Sequence, residues 1–145
     1  MSTYPQNMEE ERNLKVVRRL LEEGFGKGDL SVVDETVSQN FLEHQRFVPP
    51  LPAGAAGMKA LISGLRKMFS DLEFRIEDIA ADGNKVWTRN RAKGTNSGGI
   101  MGKRPTGKKM EIDVFDLCKL ENGKIVEHWG VPDQLGMLEQ IGFLQ

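Results

Sequence analysis

The chain has 145 residues, which is enough for one domain with a sizeable core, and its composition is ordinary for a globular protein. The 20 Lys and Arg residues nearly balance the 21 Asp and Glu residues, and the net charge of −1 argues against nucleic acid or an anionic membrane as the main partner. The single cysteine excludes an intrachain disulfide and favours a reducing, cytoplasmic setting, and no apolar run reaches the ~20 residues of a membrane span.

Three helices are predicted in the first half of the chain. Residues 1–7 are polar, so we expect a flexible tail here and no signal peptide. Apolar residues at helical spacing predict a first helix over Met8–Phe25 and a third over Met58–Phe69. Between them, Asp29 is suited to cap a short second helix that buries a face ending at Val37.

A long loop interrupts these helices. Asn40–His44 is predicted to be extended, and the proline-rich segment Phe47–Gly57 follows it. Long loops in compact domains often cover binding sites. We therefore expect this segment to border a pocket, with His44 at its mouth and Phe47 in its lining; a surface position for His44 is the alternative.

The second half of the chain has the two-residue period of β-strands. Alternation over Leu72–Ile76 and again over Lys85–Thr95 predicts two strands joined through the Asp82-Gly83 turn. In the second of them, Val86, Thr88, Asn90 and Ala92 share one face, and Trp87, Arg89, Arg91 and Lys93 share the other. Helices followed by antiparallel strands predict an α+β domain with the helices on one face of the sheet.

A hairpin and a short helix complete the pattern. Strands are predicted over Glu111–Leu120 and Lys124–Val131, and a helix over Gln134–Ile141. A three-residue loop, Glu121–Gly123, pairs Asp116 with His128. The residues then assigned to the inner face are Ile112, Val114, Asp116, Cys118, Val126, His128 and Gly130. A two-residue loop would shift the register by one and bring Trp129 beside Asp116 instead.

Two segments carry a resemblance to a known family: GTNSGGIMGKRPTGKKM (Gly94–Met110) and ENGKIVEHWGVPDQLGMLEQIG (Glu121–Gly142). Together with weaker support from Phe69–Val86, they make the chain similar to the SnoaL-like polyketide cyclases of the nuclear-transport-factor-2-like superfamily, from about Leu14 onward. The resemblance implies a cystatin-like α+β barrel, in which a curved antiparallel sheet forms a cone around a pocket. It also implies a homodimer formed through the outer sheet face. The apolar residues expected on that face are Trp87, Phe115, Leu117 and Trp129.

The resemblance also implies a chemistry. The characterised cyclases of this family close a ring by intramolecular aldol condensation, without a metal or an organic cofactor. Their acid/base aspartate follows the pair that matches His128-Trp129, where this chain has Gly130, and their histidine partner aligns with Asp116. Both positions depart from the family pattern: one strand loses the carboxylate and its neighbour gains one.

The predicted site therefore centres on Asp116 as base and His128 as its partner. The apolar surroundings of Asp116 make an ionised carboxylate costly to bury, and such groups serve as general acids or bases. The residues assigned to binding a small hydrophobic carbonyl compound are His44, Phe47, Thr88, Asn90, Ile112, Val114, Cys118 and Gly130. The sequence has no HxH or CxxC motif of the kind that binds metal ions. A carboxylate near Cys118 disfavours a thiolate nucleophile.

A second reading of the same residues stays open. Asp116 and His128 can simply hydrogen-bond within the sheet, and Gly130 can mark the loss of catalysis. The chain would then be a non-catalytic module that binds a small molecule or forms a dimer.

Overall fold

The computed structural model describes residues 4–144, with side chains from Met8 onward. The helices are α1 (Tyr4–Arg19), which continues as a π-helical segment (Leu20–Phe25), α2 (Ser31–Thr36), α3 (Ala55–Met68) and α4 (Gln134–Gln140). The strands are β1 (Val37–Glu43), β2 (Glu73–Asp82), β3 (Lys85–Thr95), β4 (Lys109–Glu121) and β5 (Lys124–Pro132). The predicted α+β class is confirmed. Residues 4–7 have helical backbone and residues 1–3 lie outside the described part, so the flexible tail stays a prediction.

The strands form one curved, open sheet in the order β1-β5-β4-β3-β2. Its strands pair antiparallel, with the exception that β1 runs parallel to β5. This parallel edge comes from a part of the chain far from β5 in sequence, and it brings Glu43 opposite His128. Within residues 4–144, no helix is long and apolar enough to cross a bilayer.

Some element boundaries differ from the sequence-based ones. Val37 begins β1 and does not belong to α2, because its backbone is already extended. Helix α3 begins at Ala55, so its first turn takes in the last residues assigned to the proline-rich loop. The predicted capping role of Asp29 is wrong, because the N-cap of α2 is Leu30 and makes no side-chain capping bond. The Asp29 carboxylate instead accepts hydrogen bonds from the Ser31 amide (3.0 Å) and hydroxyl (2.6 Å) in the turn before the helix.

Two hydrophobic clusters fill the space between the helices and the inner face of the sheet. The first packs the α1–π segment and α3 against Val86 and Cys118. The second gathers around Phe69, Ala92 and Ile112 at the other end of the same strands. Polar side chains separate the clusters along β3, where Thr88 and Asn90 lie between Val86 and Ala92. The predicted division of β3 into an inner and an outer face is confirmed by its alternating burial.

The hairpin register differs from the predicted one. The turn has two residues, Asn122 and Gly123, whose φ values of 51° and 76° give the left-handed pair of a type I′ turn. Glu121 therefore pairs with Lys124, and Leu120 with Ile125. A β-bulge then leaves Val126 as an extra residue, because Lys119 already pairs with Glu127.

The bulge restores the inner face that the shorter turn would have reversed. Asp116 lies opposite Gly130, and His128 lies opposite Cys118, so the predicted direct pairing of Asp116 with His128 is wrong. All four residues nevertheless share one face, since the two-residue turn and the bulge each shift the register by one. Ile125, and not Val126, is the fully buried residue at the start of β5.

Candidate functional site

A chain of polar side chains crosses the inner face of the sheet between the two hydrophobic clusters. In one cross-strand row, Thr88, Asp116 and Gly130 lie side by side on β3, β4 and β5. In the next row, Cys118, His128 and Glu43 lie on β4, β5 and β1. Asp116 and His128 are therefore diagonal neighbours, and the strand pairing alone brings them within reach of each other.

His128 lies between two carboxylates. Its Nε2 is 2.6 Å from Asp116 Oδ1, and its Nδ1 is 2.6 Å from Glu43 Oε2. Both distances are at the short end of charge-assisted hydrogen bonds. Burial lowers the pKa of His128, but the hydrogen bonds and charges of Asp116 and Glu43 outweigh it and raise the pKa to about 9. The imidazole is therefore a cation near pH 7, held by carboxylates on both sides.

The second oxygen of Asp116 is also bonded. The Asn90 side-chain amide donates to Asp116 Oδ2 at 2.7 Å and lies 3.0 Å from Thr88 Oγ1. Asp116 and Asn90 are both buried, with 8% and 0% of their surface exposed. These bonds link Glu43, His128, Asp116, Asn90 and Thr88 into one buried hydrogen-bond network.

Gly130 provides the space for this arrangement. A Cβ atom placed on Gly130 would be 2.7 Å from His128 Cε1 and 2.9 Å from Asp116 Oδ1, and it would also collide with the Gln45 side-chain oxygen. The side chains of Gln45, His128 and Asp116 together therefore leave no room for a Cβ atom at this position.

Replacing Gly130 with Ala is expected to destabilise the fold by about 1–3 kcal/mol, because a methyl group must push Gln45, His128 and Asp116 apart. Gly64→Ala is the matched control: Gly64 lies in α3 with open space around its Cβ position, so alanine should be neutral or stabilising by up to ~1 kcal/mol. Urea unfolding of both variants measures the difference. Equal stability of the two would contradict the crowded environment of Gly130.

A cavity of about 500 Å³ lies beside this network. The segment between β1 and α3 supplies its wall, including Phe41, Glu43, Gln45, Phe47, Leu51 and Pro52. Of the described residues, Glu43 belongs both to this wall and to the hydrogen-bond network, whereas Asp116 and His128 are absent from the wall. The proline-rich loop thus borders a cavity, and the route from that cavity to His128 leads through Glu43.

The structure distributes the other predicted site residues over three environments. Phe47 lines the cavity, and Thr88 and Asn90 join the network. Ile112 and Cys118 are buried in the hydrophobic clusters, while Val114 and Gly130 are half-buried on the same face. Burial first, and then the charges of Asp116 and Glu43, raise the pKa of the Cys118 thiol well above its usual range, so a thiolate is disfavoured.

His44 lies apart from this group. Its ring stacks on Trp129, with the ring centroids 4.4 Å apart and the planes 8° from parallel. Trp129 is on the exposed side of β5, so the His44 side chain lies there too, although its backbone amide bonds the His128 carbonyl at 2.9 Å. His44 lies on the outer face because side chains alternate along an extended chain: Glu43 points inward, so the next residue, His44, points outward.

Glu43 and Gln45 belong to the site but were not among the residues predicted from the sequence. Strand alternation would have identified Glu43, because it lies two residues after the buried Phe41 in a predicted extended segment. For Gln45, the sequence carries no comparable signal. Its position over Gly130 depends on the parallel pairing of β1 with β5.

The opposite face of the sheet carries exposed aromatic residues. Trp87, Phe115 and Trp129 expose 51%, 54% and 37% of their surface, and Val131 exposes 70%. Leu117 lies between Trp87 and Trp129 in the strand register. These side chains form a continuous apolar patch, which we call the outer patch.

Comparisons with known proteins agree with this architecture. A family model described as SnoaL-like polyketide cyclase matches residues 15–141. The aklanonic acid methyl ester cyclase DauD from Streptomyces sp. (strain C5) is 29% identical over 135 residues, which cover 89% of this chain and 81% of DauD.

Two solved structures extend the comparison. IdmH from Streptomyces antibioticus is 30% identical with a TM-score of 0.77, covering 90% of this chain and 98% of its own. A SnoaL-like protein from Jannaschia sp. CCS1 is 26% identical with a TM-score of 0.82, covering 97% of this chain and 96% of its own. The family match spans most of the chain, and the fold and the inner-face histidine lie within the matched range. The chain belongs to the SnoaL-like polyketide cyclase family.

Proposed function

We propose that this protein is a cyclase-type enzyme that performs acid/base chemistry, without a cofactor, on a small hydrophobic carbonyl compound. Asp116 is the base of its acid/base centre, and His128 is its partner. The observation that carries the proposal is the position of His128 within 2.6 Å of a carboxylate oxygen on each side. Near neutral pH a buried imidazolium can donate a proton, and a carboxylate beside it can accept one.

The centre supplies what a ring-closing aldol reaction requires. A base removes a proton from the carbon next to a carbonyl group, and the electron pair of that C–H bond moves to the carbonyl oxygen. The resulting enolate carbon bonds to a second carbonyl carbon in the same molecule. The oxygen of that second carbonyl gains the negative charge and takes a proton from the protonated acid/base centre, and the positive charge of His128 favours this transfer.

A methyl ester of a polyketide acid is the first compound to test, since the relative DauD is a cyclase of aklanonic acid methyl ester. Purified protein should convert this ester to a cyclised isomer of unchanged mass, and a metal chelator should have no effect. Chromatography coupled to mass spectrometry follows the reaction. Absence of conversion, with the ester nevertheless bound, would favour a non-catalytic binder.

That alternative has its own support in the structure. Asp116 and His128 are each only 8% exposed, and both Asp116 oxygens already accept hydrogen bonds. A fully bonded, buried pair can serve stability and shape alone. In a binder, the cavity beside Phe47 would hold a ligand and the network would only brace the sheet.

We further propose that the protein is a homodimer that buries the outer patch. Replacing both Phe115 and Trp129 with Glu should give monomers, because four charges would then face each other across the interface. Leu135→Glu is the control: Leu135 is also exposed, at 62%, but it lies on α4. Light scattering coupled to size-exclusion chromatography measures the mass. A dimer that survives the double substitution would place the interface elsewhere.

A further inference from the structure

We propose that Glu43 is the carboxylate that exchanges the proton with a ligand in the cavity, and that Asp116 acts through His128 to hold Glu43 ready. This inference rests on the proposed acid/base function, but it gives the role of base toward the ligand to Glu43 and makes Asp116 a positioning residue. Glu43 lies in the cavity wall and bonds His128, so it connects the two.

Among the described residues, the hydrogen bonds of the Glu43 carboxylate involve only one of its two oxygens. Its Oε2 accepts from the Gln45 backbone amide at 3.1 Å and lies 2.6 Å from His128 Nδ1. Its Oε1 is buried and has no hydrogen-bond partner among the described residues. A buried acceptor without a partner costs free energy, and a proton delivered by a ligand would remove that cost.

The electrostatics favour this role. His128 lies 2.6 Å from an oxygen of each of two carboxylates, Glu43 and Asp116, so its positive charge stabilises negative charge on both. Asp116 hydrogen-bonds the ring nitrogen of His128 that does not face Glu43, and the Asn90 side-chain amide donates a hydrogen bond to Asp116. The arrangement resembles an acid–histidine–acid relay in which one carboxylate faces the cavity and the other stays buried.

In the proposed step, Glu43 first accepts a proton from the ligand and later returns one, so atoms and charges balance. The C–H bond next to the ligand carbonyl breaks, and an O–H bond forms at Glu43 Oε1. The electron pair of the C–H bond moves to the carbonyl oxygen, so the negative charge passes from Glu43 to the enolate. After ring closure, the new alkoxide takes a proton from Glu43, which restores its charge.

Glu43→Gln and Glu43→Ala test the assignment with aklanonic acid methyl ester as the probe. We expect Glu43→Gln to lower turnover about 100-fold or more with the affinity for the ester nearly unchanged, because glutamine keeps the shape but cannot accept the proton. Glu77→Gln is the matched control, since Glu77 is an exposed residue on β2 that pairs with Arg75. Thermal unfolding of each variant checks that it folds.

Acetate separates contact with the ligand from a purely structural role. In Glu43→Ala, acetate diffusing into the vacated space beside the cavity should restore part of the turnover, whereas Asp116→Ala should not respond because Asp116 is absent from the cavity wall. If Glu43→Ala does not fold, Glu43→Gln alone decides the question through its turnover.

Three outcomes overturn the assignment of Glu43. If Glu43→Gln is active and Asp116→Asn is inactive, Glu43 is not the base, although the acid/base function remains supported. If both Glu43 variants are inactive and folded Glu43→Ala does not respond to acetate, the role of Glu43 is structural, namely to hold His128 in place. Full activity of both Glu43→Gln and Asp116→Asn would remove the assigned acid/base residues, and the inference with them, because turnover would then not depend on either carboxylate.

Discussion

Asp116→Asn is expected to lower turnover of a bound carbonyl compound by about 10²–10⁴-fold, the usual contribution of a general acid or base. Asparagine keeps the shape of the side chain and can still accept a hydrogen bond from His128. It removes the negative charge that opposes Glu43 across the imidazole. Ligand affinity should change less than tenfold, because Asp116 is absent from the cavity wall.

The same strand offers a control for this substitution. Asp113→Asn makes the same chemical change three residues away, on the exposed side of β4, where Asp113 pairs with Arg91 at 3.0 Å. Its turnover should match that of the original protein. Activity of Asp116→Asn should also decline at a lower pH than in the original protein, since His128 would lose one of the carboxylates that raise its pKa. Equal turnover in the two variants would exclude Asp116 from the chemistry.

The stability of the protein is expected to fall as the pH rises from about 6.5 to about 9. Raising the pKa of His128 from 6.5 to about 9 means that the folded state binds its proton more tightly than the unfolded state. The stabilisation is therefore fully present below pH 6.5 and is lost as the pH passes through about 9. A shift of this size corresponds to about 3 kcal/mol.

Urea unfolding at a series of pH values measures this effect. The groups that face His128 are Asp116 and Cys118 on β4 and Glu43 on β1, and the thiol pKa lies well above its usual range. His128→Gln should remove the slope between pH 6.5 and 9, although it should also lower stability at neutral pH by leaving two buried carboxylates without a cation. His44→Gln should keep the slope. A slope that persists in His128→Gln would assign it to another group.

The sequence was sufficient to identify the fold and the inner face of the central strands. The alternation of β3 is regular from Lys85 to Thr95, and Val86, Thr88, Asn90 and Ala92, which were predicted to share one face, are all buried. Such a pattern depends on the local period alone. The direction of Asp116 and His128 toward the same face followed from the same rule, even though the expected pairing between them was incorrect.

The register and the cavity could not be obtained in this way. The extra residue Val126 is a property of the backbone, and nothing in the composition of β5 distinguishes a bulge there. Glu43 reaches His128 through a parallel pairing between strands that are about 85 residues apart in the chain, as the separation of the two bonded side chains shows. Local patterns do not encode pairing over such a distance.

Exchange of a carbon-bound proton with solvent tests the acid/base account most directly. The protein would be incubated in deuterium oxide with aklanonic acid methyl ester and a metal chelator, and NMR would follow deuterium entering the position next to the carbonyl. The account predicts exchange with the original protein and with Asp113→Asn, and background exchange alone with Asp116→Asn. Exchange at the full rate in Asp116→Asn, or none in the original protein while the ester is bound, would contradict it.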